Sequence, residues 1–293
     1  LEGSHKPPPR LLSEAAAEVA ARHPAIVMPM SIPLQGYPRA AAVSPRLQVV
    51  ESTGSTNADL VKAAAASPEQ WPHLSVVLTT DQRAGRGRLD RSWTTPPGTA
   101  LAVSVLVRVP DLPVAARAWI PLVAGAAMTR AVIEQLRGTG HTAALKWPND
   151  VLLDGGKVSG ILAEVVPGHA EAVVIGAGVN TRMTRAELPV ETATSFAATG
   201  LEVDEDRLLA DYLLALDAQL SALALAHGDA AASGVLGEVE ALCSTLGSDV
   251  VMSLPDGSRL HGRAQRIDPD GRLVVAAGDA ETAVSAGDVV HVR

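Results

Sequence analysis

The sequence predicts an α+β fold, with a large mixed-sheet body followed by a small all-β barrel. Three observations carry this. Up to Cys243, strand-like Val/Leu runs and helix-like stretches alternate without the strict order of a βαβ protein. After Cys243 the chain becomes short Val-rich runs separated by "PDG", "PDG" and "AGD" turns, which is hairpin spacing. Finally, 293 residues with 47% hydrophobic and 19% charged side chains can bury a sizeable core, which aromatics at 2% leave to Ala, Val and Leu.

Taken in order, "LEGSH" reads as a cloning scar and "KPPPR" as a linker, with no signal-peptide pattern. Residues 13–23, "SEAAAEVAARH", predict a short Ala-rich helix, and Pro24, Pro29, Pro33, Pro38 and Pro45 exclude continuous helix over 24–45. One helix and a proline-punctuated arm do not make a winged helix-turn-helix, so residues 1–45 are expected to be an arm and not a DNA-binding domain.

"RLQVVESTGSTNADLVKAAAA" begins as a strand, turns at Gly54 and enters a helix, with Thr56 and Asp59 spaced as a capping box. "LSVVLTTDQ" and "GTALAVSVLVRV" are β-branched strands flanking an arginine-rich loop. Pro113 to Arg137 predicts one long helix bent near Pro121. "AALKW" is a strand, "DGG" at 154–156 a hairpin with its glycines at positive φ, and "EAVVIGAGVN" a buried strand running into a glycine turn. A second long helix spans 204–226. The boundary falls near Ser244, giving a body over 46–243 and a barrel over 244–293.

Composition removes several classes. A formal net charge of -8 disfavours a general nucleic-acid binder, and the single cysteine, Cys243, excludes an intrachain disulfide and suits a reducing compartment. No apolar run near the length of a membrane span is evident. A soluble cytoplasmic protein is expected.

Three constellations carry chemistry. "DQRAGRGRLDRSW", residues 81–93, sets arginines among glycines, which allows close backbone approach and forked donors to an anion; Trp93 can cover a planar ring. "KWPND", residues 146–150, projects a cation, an amide and a carboxylate from a rigid turn, with Lys157 just past the hairpin. "STGSTN", residues 52–57, offers small donors and acceptors to a neutral polar ligand. Singly, each has a plainer reading: a solvated loop, a snorkelling lysine, a helix cap.

In this order, "GSTN", "DQRAGRGRLDRSW", "KWPNDVLLDGGKVSGILAE", "VIGAGVN" and "ATSF" closely resemble the biotin protein ligases over roughly residues 47–293. The resemblance implies a catalytic domain like that of class II aminoacyl-tRNA synthetases and an SH3-like C-terminal barrel. It implies a two-step reaction: biotin and Mg-ATP give biotinyl-5′-adenylate and pyrophosphate, and the acyl group then passes to a lysine of a biotin carboxyl carrier domain. Ser55, Thr56, Asn57 and Gln82 are implied to contact biotin. Gly85, Arg86, Gly87 and Arg88 are implied to bind its valerate side and close over the adenylate. Lys157 is implied to serve both biotin and catalysis, alongside Arg88 and Lys146. Arg91, Trp93, Lys146, Asn149, Asp150 and Asn180 fall to ATP, with Asp150 the Mg2+ ligand.

No side-chain nucleophile is required, because the carboxylate attacks phosphorus and the acceptor amine attacks the anhydride. One departure stands out: the family pattern carries glycine where this chain has Asp90, a carboxylate near the triphosphate. We expect Asp90→Gly to raise ATP affinity, and residues 83–92 to be mobile until ligand binds. Two alternatives are a lipoate ligase or octanoyltransferase of the related fold and a non-catalytic binding module. No nucleic acid or membrane partner is expected; a homodimer through a sheet edge is compatible.

Overall fold

The computed structural model describes residues 36–89, 91–254, 258–285 and 288–291. The scar, linker and helix expected within residues 1–35, the loop residue Asp90 and the first "PDG" turn lie outside the described residues.

Seven strands form the larger sheet: β1 (Leu47–Val49), β2 (Ser75–Thr79), β5 (Ala100–Arg108), β9 (His169–Asn180), β8 (Gly156–Val166), β7 (Asp150–Leu153) and β6 (Ala143–Lys146), side by side in that order. β1 runs parallel to β2 and the other pairs are antiparallel, so the sheet is mixed. β5 is buried along nearly its whole length because both of its faces are covered. Leu101, Val103, Val105 and Val107 point to a core shared with α3 (Ile120–Gln135) and α4 (Glu205–Leu225). Leu106, with Val77 and Val174, packs on the opposite face under Leu60 and Ala64 of α2 (Thr56–Ala66).

Several expectations change. Pro38 starts helix α1 (Pro38–Val43), because proline at the first helical position loses no hydrogen bond. Backbone N–H groups of Arg39 and Ala40 donate to the Asp206 carboxylate (3.1 and 2.9 Å), tying α1 to the start of α4. The expected bent helix over 113–137 is instead a 3-10 segment, Val114–Trp119, followed by α3, with Pro121 in its first turn. Helix α2 is capped by Ser55 and not by Thr56; Asp59 accepts from Thr53 Oγ1 at 2.5 Å. In the 154–156 turn, Asp154 (φ 49°) and Gly155 (φ 79°) take the left-handed conformation, leaving Gly156 in the strand. A fifth helix, α5 (Val235–Leu242), was not anticipated.

Contrary to expectation, α4 is long and apolar enough to cross a membrane by length and composition alone. Its stripe of Leu208, Tyr212, Leu213, Leu216, Leu220 and Leu223 is buried in the core, which accounts for the hydrophobicity.

The second sheet is antiparallel, ordered β13 (Ala280–Val284), β12 (Leu273–Ala277), β11 (Arg259–Ile267), β10 (Asp249–Ser253), β14 (Asp288–His291). Two fully buried tryptophans join it to the body: Trp119 Nε1 donates to Pro269 O at 2.9 Å and Trp147 Nε1 to Gly271 O at 3.2 Å. Burying an indole while pairing its N–H is the arrangement its amphipathic ring favours.

Candidate active site

Two chain segments lie side by side to build part of the wall of a cleft. Thr53 bridges Gln82 in parallel register, Thr53 N donates to Asp81 O (3.1 Å), and Arg83 N donates to Thr53 O (2.9 Å). "STGSTN" and "DQRAG" are thereby locked together, and Ser55, Thr56, Asn57 and Gln82 all line the cleft. Ser55 Oγ accepts from Ala58 N at 3.4 Å. Gln82 Oε1 accepts from Thr56 N at 2.9 Å and stands 3.1 Å from Thr56 Oγ1.

The arginine segment, expected as a loop, forms a short hairpin. β3 (Gly85–Arg86) pairs with β4 (Ser92–Trp93), Gly87 N donates to Arg91 O at 2.6 Å, and Leu89 takes φ 55° near the tip. Glycine is required at 85, since a Cβ there would lie 2.4 Å from both Gln82 Nε2 and Trp93 O. Arg86, Arg88 and Arg91 line the cleft. Arg83 does not belong to that lining: its Nη2 pairs with Asp81 Oδ2 at 2.8 Å. Arg88 Nη1 donates to Asn149 Oδ1 at 2.8 Å, fastening the hairpin to the "KWPND" turn.

The floor is cut from glycines. Gly160 of β8 faces Gly178 of β9, and Leu162 faces Gly176. A Cβ on Gly178 would lie 2.7 Å from the Trp93 ring, and one on Gly176 would lie 2.4 Å from Asn57 Oδ1. Strand geometry explains the pattern: Gly176 and Gly178 are two apart and share a face, so "IGAG" is a mid-strand bed and not the turn expected from the sequence.

Lys157 reaches this floor through a β-bulge. Pairing along β7 and β8 shifts between Val151 and Leu152, so Val151 faces Ser159 while Leu152 faces Lys157. The extra residue turns Lys157 to the face of Gly160, three positions away, where simple alternation would oppose them. Lys157 Nζ sits 2.6 Å from Asp150 Oδ1, and both residues line the cleft.

Two expected residues lie elsewhere. Lys146, although in "KWPND", is outside the lining and sits near His291 of the second sheet. Burial, and then the Lys146 charge, lower the His291 pKa from its ordinary 6.5. Asn180 is buried at the end of β9, its Nδ2 donating to Thr194 O at 2.9 Å. Cys243 is buried outside the cleft, and burial pushes its thiol pKa up, away from nucleophile chemistry.

Sequence reasoning missed Glu164 and Ser104. Glu164 Oε1 accepts from Arg86 Nη2 at 2.9 Å, and Ser104 Oγ donates to Asn57 Oδ1 at 2.6 Å. Their signal was polar residues on the same strand faces as Gly160 and Ala102, visible only once those faces are known. The arrangement gathers three arginines and a lysine over a neutral polar pocket, which suits an anion bearing a small polar head.

Comparison with known proteins places the chain in a family. The family model "Biotin/lipoate A/B protein ligase family" matches residues 49–180, and "Biotin protein ligase C terminal domain" matches residues 245–292. The chain is 39% identical over 249 residues to a biotin–[acetyl-CoA-carboxylase] ligase of Mycobacterium tuberculosis, covering 85% of this chain and 90% of that protein. It is 28% identical over 247 residues to the bifunctional ligase/repressor BirA of Bacillus subtilis, covering 82% and 71%. Among solved structures, a biotin protein ligase from Aquifex aeolicus in complex with biotin and ATP shares the fold, with a TM-score of 0.67 and 23% identity over 85% of this chain and 99% of that one.

Proposed function

Since the chain belongs to the biotin protein ligases of the biotin/lipoate A/B family, we propose that it activates biotin with ATP and transfers it to a lysine of a biotin carboxyl carrier domain. One observation carries the reading at the level of residues: Arg86, Arg88, Arg91 and Lys157 line one cleft together with a glycine floor and the small polar, uncharged side chains of Ser55, Thr56, Asn57 and Gln82.

The chemistry follows from that charge distribution. A biotin carboxylate oxygen attacks the α-phosphorus of ATP; the new C–O–P linkage forms as the bond to the β-phosphate breaks and pyrophosphate leaves. Two anions must approach, so cations fixed beforehand lower the barrier, and Lys157 with the hairpin arginines serve that role. Ser55, Thr56 and Gln82 take the ureido ring, Asn57 supporting them through its contacts to the protein. Trp93, lying flat on Gly178, closes the adenylate side. In the second step the neutral acceptor amine attacks the acyl carbon, a C–N bond forms, AMP leaves, and the amine gives up its proton. Lys146 and Asn180 support the turn and the strand end in this reading.

Among the described residues, no cluster of three or more His, Cys, Asp or Glu is arranged to hold a metal. Asp150 beside Asn149 nevertheless fits a Mg2+ that arrives with the triphosphate, since that ion commonly takes one or two carboxylates plus substrate oxygens. Bound there it would neutralise phosphate charge. We assign residues 46–243 to catalysis and 244–293 to the barrel, and the reducing, ATP-containing cytoplasm as the compartment. Among the described residues, β1 is the sheet edge without a strand partner on its outer side, while β6 is bridged to Cys243, so β1 is the edge offered to a second copy.

The test is direct. The protein is mixed with biotin, Mg-ATP and a carrier domain, and the carrier is probed with labelled streptavidin while pyrophosphate is followed. Biotin-dependent pyrophosphate and a labelled carrier are expected. Absence of both would overturn the reading, and pyrophosphate release with lipoate instead would move the chain to the sister activity.

A further inference from the structure

Glu164 has no part in the reaction just described, and a carboxylate beside an anion pocket works against its substrates by like-charge repulsion. Its ion pair with Arg86 contributes little by itself, because the Arg86 side chain is 55% exposed. The consequence of Glu164 lies in Asn57.

Glu164 Oε2 (2.7 Å) and Leu162 O (3.3 Å) both approach Asn57 Nδ2, and both can only accept. They fix the amide, so Asn57 Oδ1 must face Ser104 Oγ, 2.6 Å away. That oxygen has no proton to give, and Ser104 donates its single hydroxyl proton there. Ser104 Oγ also stands 2.8 Å from Thr56 Oγ1, closer than the 3.1 Å between Thr56 Oγ1 and Gln82 Oε1, so the single Thr56 proton goes to Ser104. Thr56 Oγ1 then faces Gln82 Oε1 at 3.1 Å with no proton between them, while Gln82 Oε1 keeps the Thr56 N–H at 2.9 Å. Three oxygen–oxygen contacts share two hydroxyl protons, and the longest is the one left short. Both of its atoms belong to residues lining the cleft.

We propose that Glu164 is a positioning residue that sets the polarity of this chain, so that Thr56 Oγ1 and Gln82 Oε1 present an acceptor pair to a ligand N–H. The inference rests on the biotin-activating reading and deepens it: a cyclic urea carries that N–H, and a dithiolane ring does not. With the Asn57 amide reversed, Nδ2 would donate to Ser104, Ser104 to Thr56 and Thr56 to Gln82. Every contact from Asn57 to Gln82 along this row would be filled and the acceptor pair would vanish, at the expense of turning Asn57 Oδ1 toward Glu164 Oε2 and, at the longer 3.3 Å, Leu162 O. Glu164, as a carboxylate, forbids that arrangement.

Two variants test it without touching a ligand contact. Glu164→Gln supplies an amide able to donate to Asn57 Oδ1 and so permits the reversal. Ser104→Ala removes the competing oxygen and lets Thr56 donate to Gln82. In each, KM for biotin is expected to rise roughly tenfold, the scale of one neutral hydrogen bond, with KM for ATP within about twofold of wild type. The penalty for methylating a ureido nitrogen of biotin should shrink in both. Wild-type biotin KM in both variants at unchanged Tm overturns the proposal, as does a parallel rise in both KM values, which marks a structural effect. Wild-type protein that releases no pyrophosphate with biotin overturns the functional reading instead.

Discussion

Lys157 Nζ lies 2.6 Å from Asp150 Oδ1, so the cation we propose for the reacting phosphate is held by the carboxylate we propose for its metal. Each keeps spare capacity, since Asp150 has a second carboxylate oxygen and Lys157 further N–H donors. Lys157→Met is expected to lower pyrophosphate release about 10²- to 10³-fold, the range for losing one preorganised charge-stabilising donor. Asp150→Asn is expected to raise KM for Mg-ATP about tenfold and leave KM for biotin near wild type. Steady-state kinetics with each substrate varied separates the two; equal effects on both KM values would contradict this division.

Gly160 and Gly176 make opposite forecasts from similar geometry. A Cβ on Gly160 would touch Lys157 Cε and Nζ at 3.1 Å, the far end of a flexible chain, which can move. Gly160→Ala should therefore fold normally and lose about tenfold in kcat, because Lys157 is displaced. A Cβ on Gly176 would meet Asn57 Oδ1 at 2.4 Å, and Asn57 is held by Glu164, Leu162 and Ser104. Gly176→Ala should cost about 1–3 kcal/mol of stability. Thermal melts with activity assays on the two variants decide between them.

Arg88 fastens the hairpin to Asn149 at 2.8 Å, which places it at the seam we propose to close over a water-sensitive anhydride. Arg88→Gly should weaken retention of the adenylate more than its formation. In a burst assay, pyrophosphate release should persist while bound biotinyl-adenylate escapes and labels bystander lysines. Equal loss of formation and retention would count against a closing role. Ligand should also protect the hairpin from protease.

The cleft was legible where chemistry and local order coincide, as in "GRGR" and "STN". It was illegible where the third dimension reassigns a residue. Lys146 and Lys157 look alike in the sequence, yet the bulge after Val151 turns Lys157 into the cleft while β6 carries Lys146 toward the second sheet. Thr56 and Asp59 have capping-box spacing, but Ser55, one residue earlier, holds the cap, because Thr56 is engaged by Gln82 from a distant segment. Gly176 and Gly178 read as a turn since glycine is usually punctuation; here they clear space for Asn57 and Trp93. Fold-level features fared better, because hydrophobic periodicity reports burial directly, and α4 misled only on its environment.

His291 links the two sheets in a way that pH should reveal. Thr245 Oγ1 accepts from Trp147 N at 3.0 Å and stands 3.2 Å from His291 Nε2, so the ring is held at the junction between the body and the second sheet. Burial first, and the Lys146 charge second, lower the His291 pKa from 6.5. As pH falls through about 6.5 the unfolded chain takes up the proton while the folded chain resists, so stability drops until the folded histidine also protonates. His291→Gln offers an acceptor that does not titrate. Between about pH 7.5 and 5.5 its melting temperature should therefore fall less steeply than that of the wild type. Parallel curves would show that the sheet junction does not sense this proton.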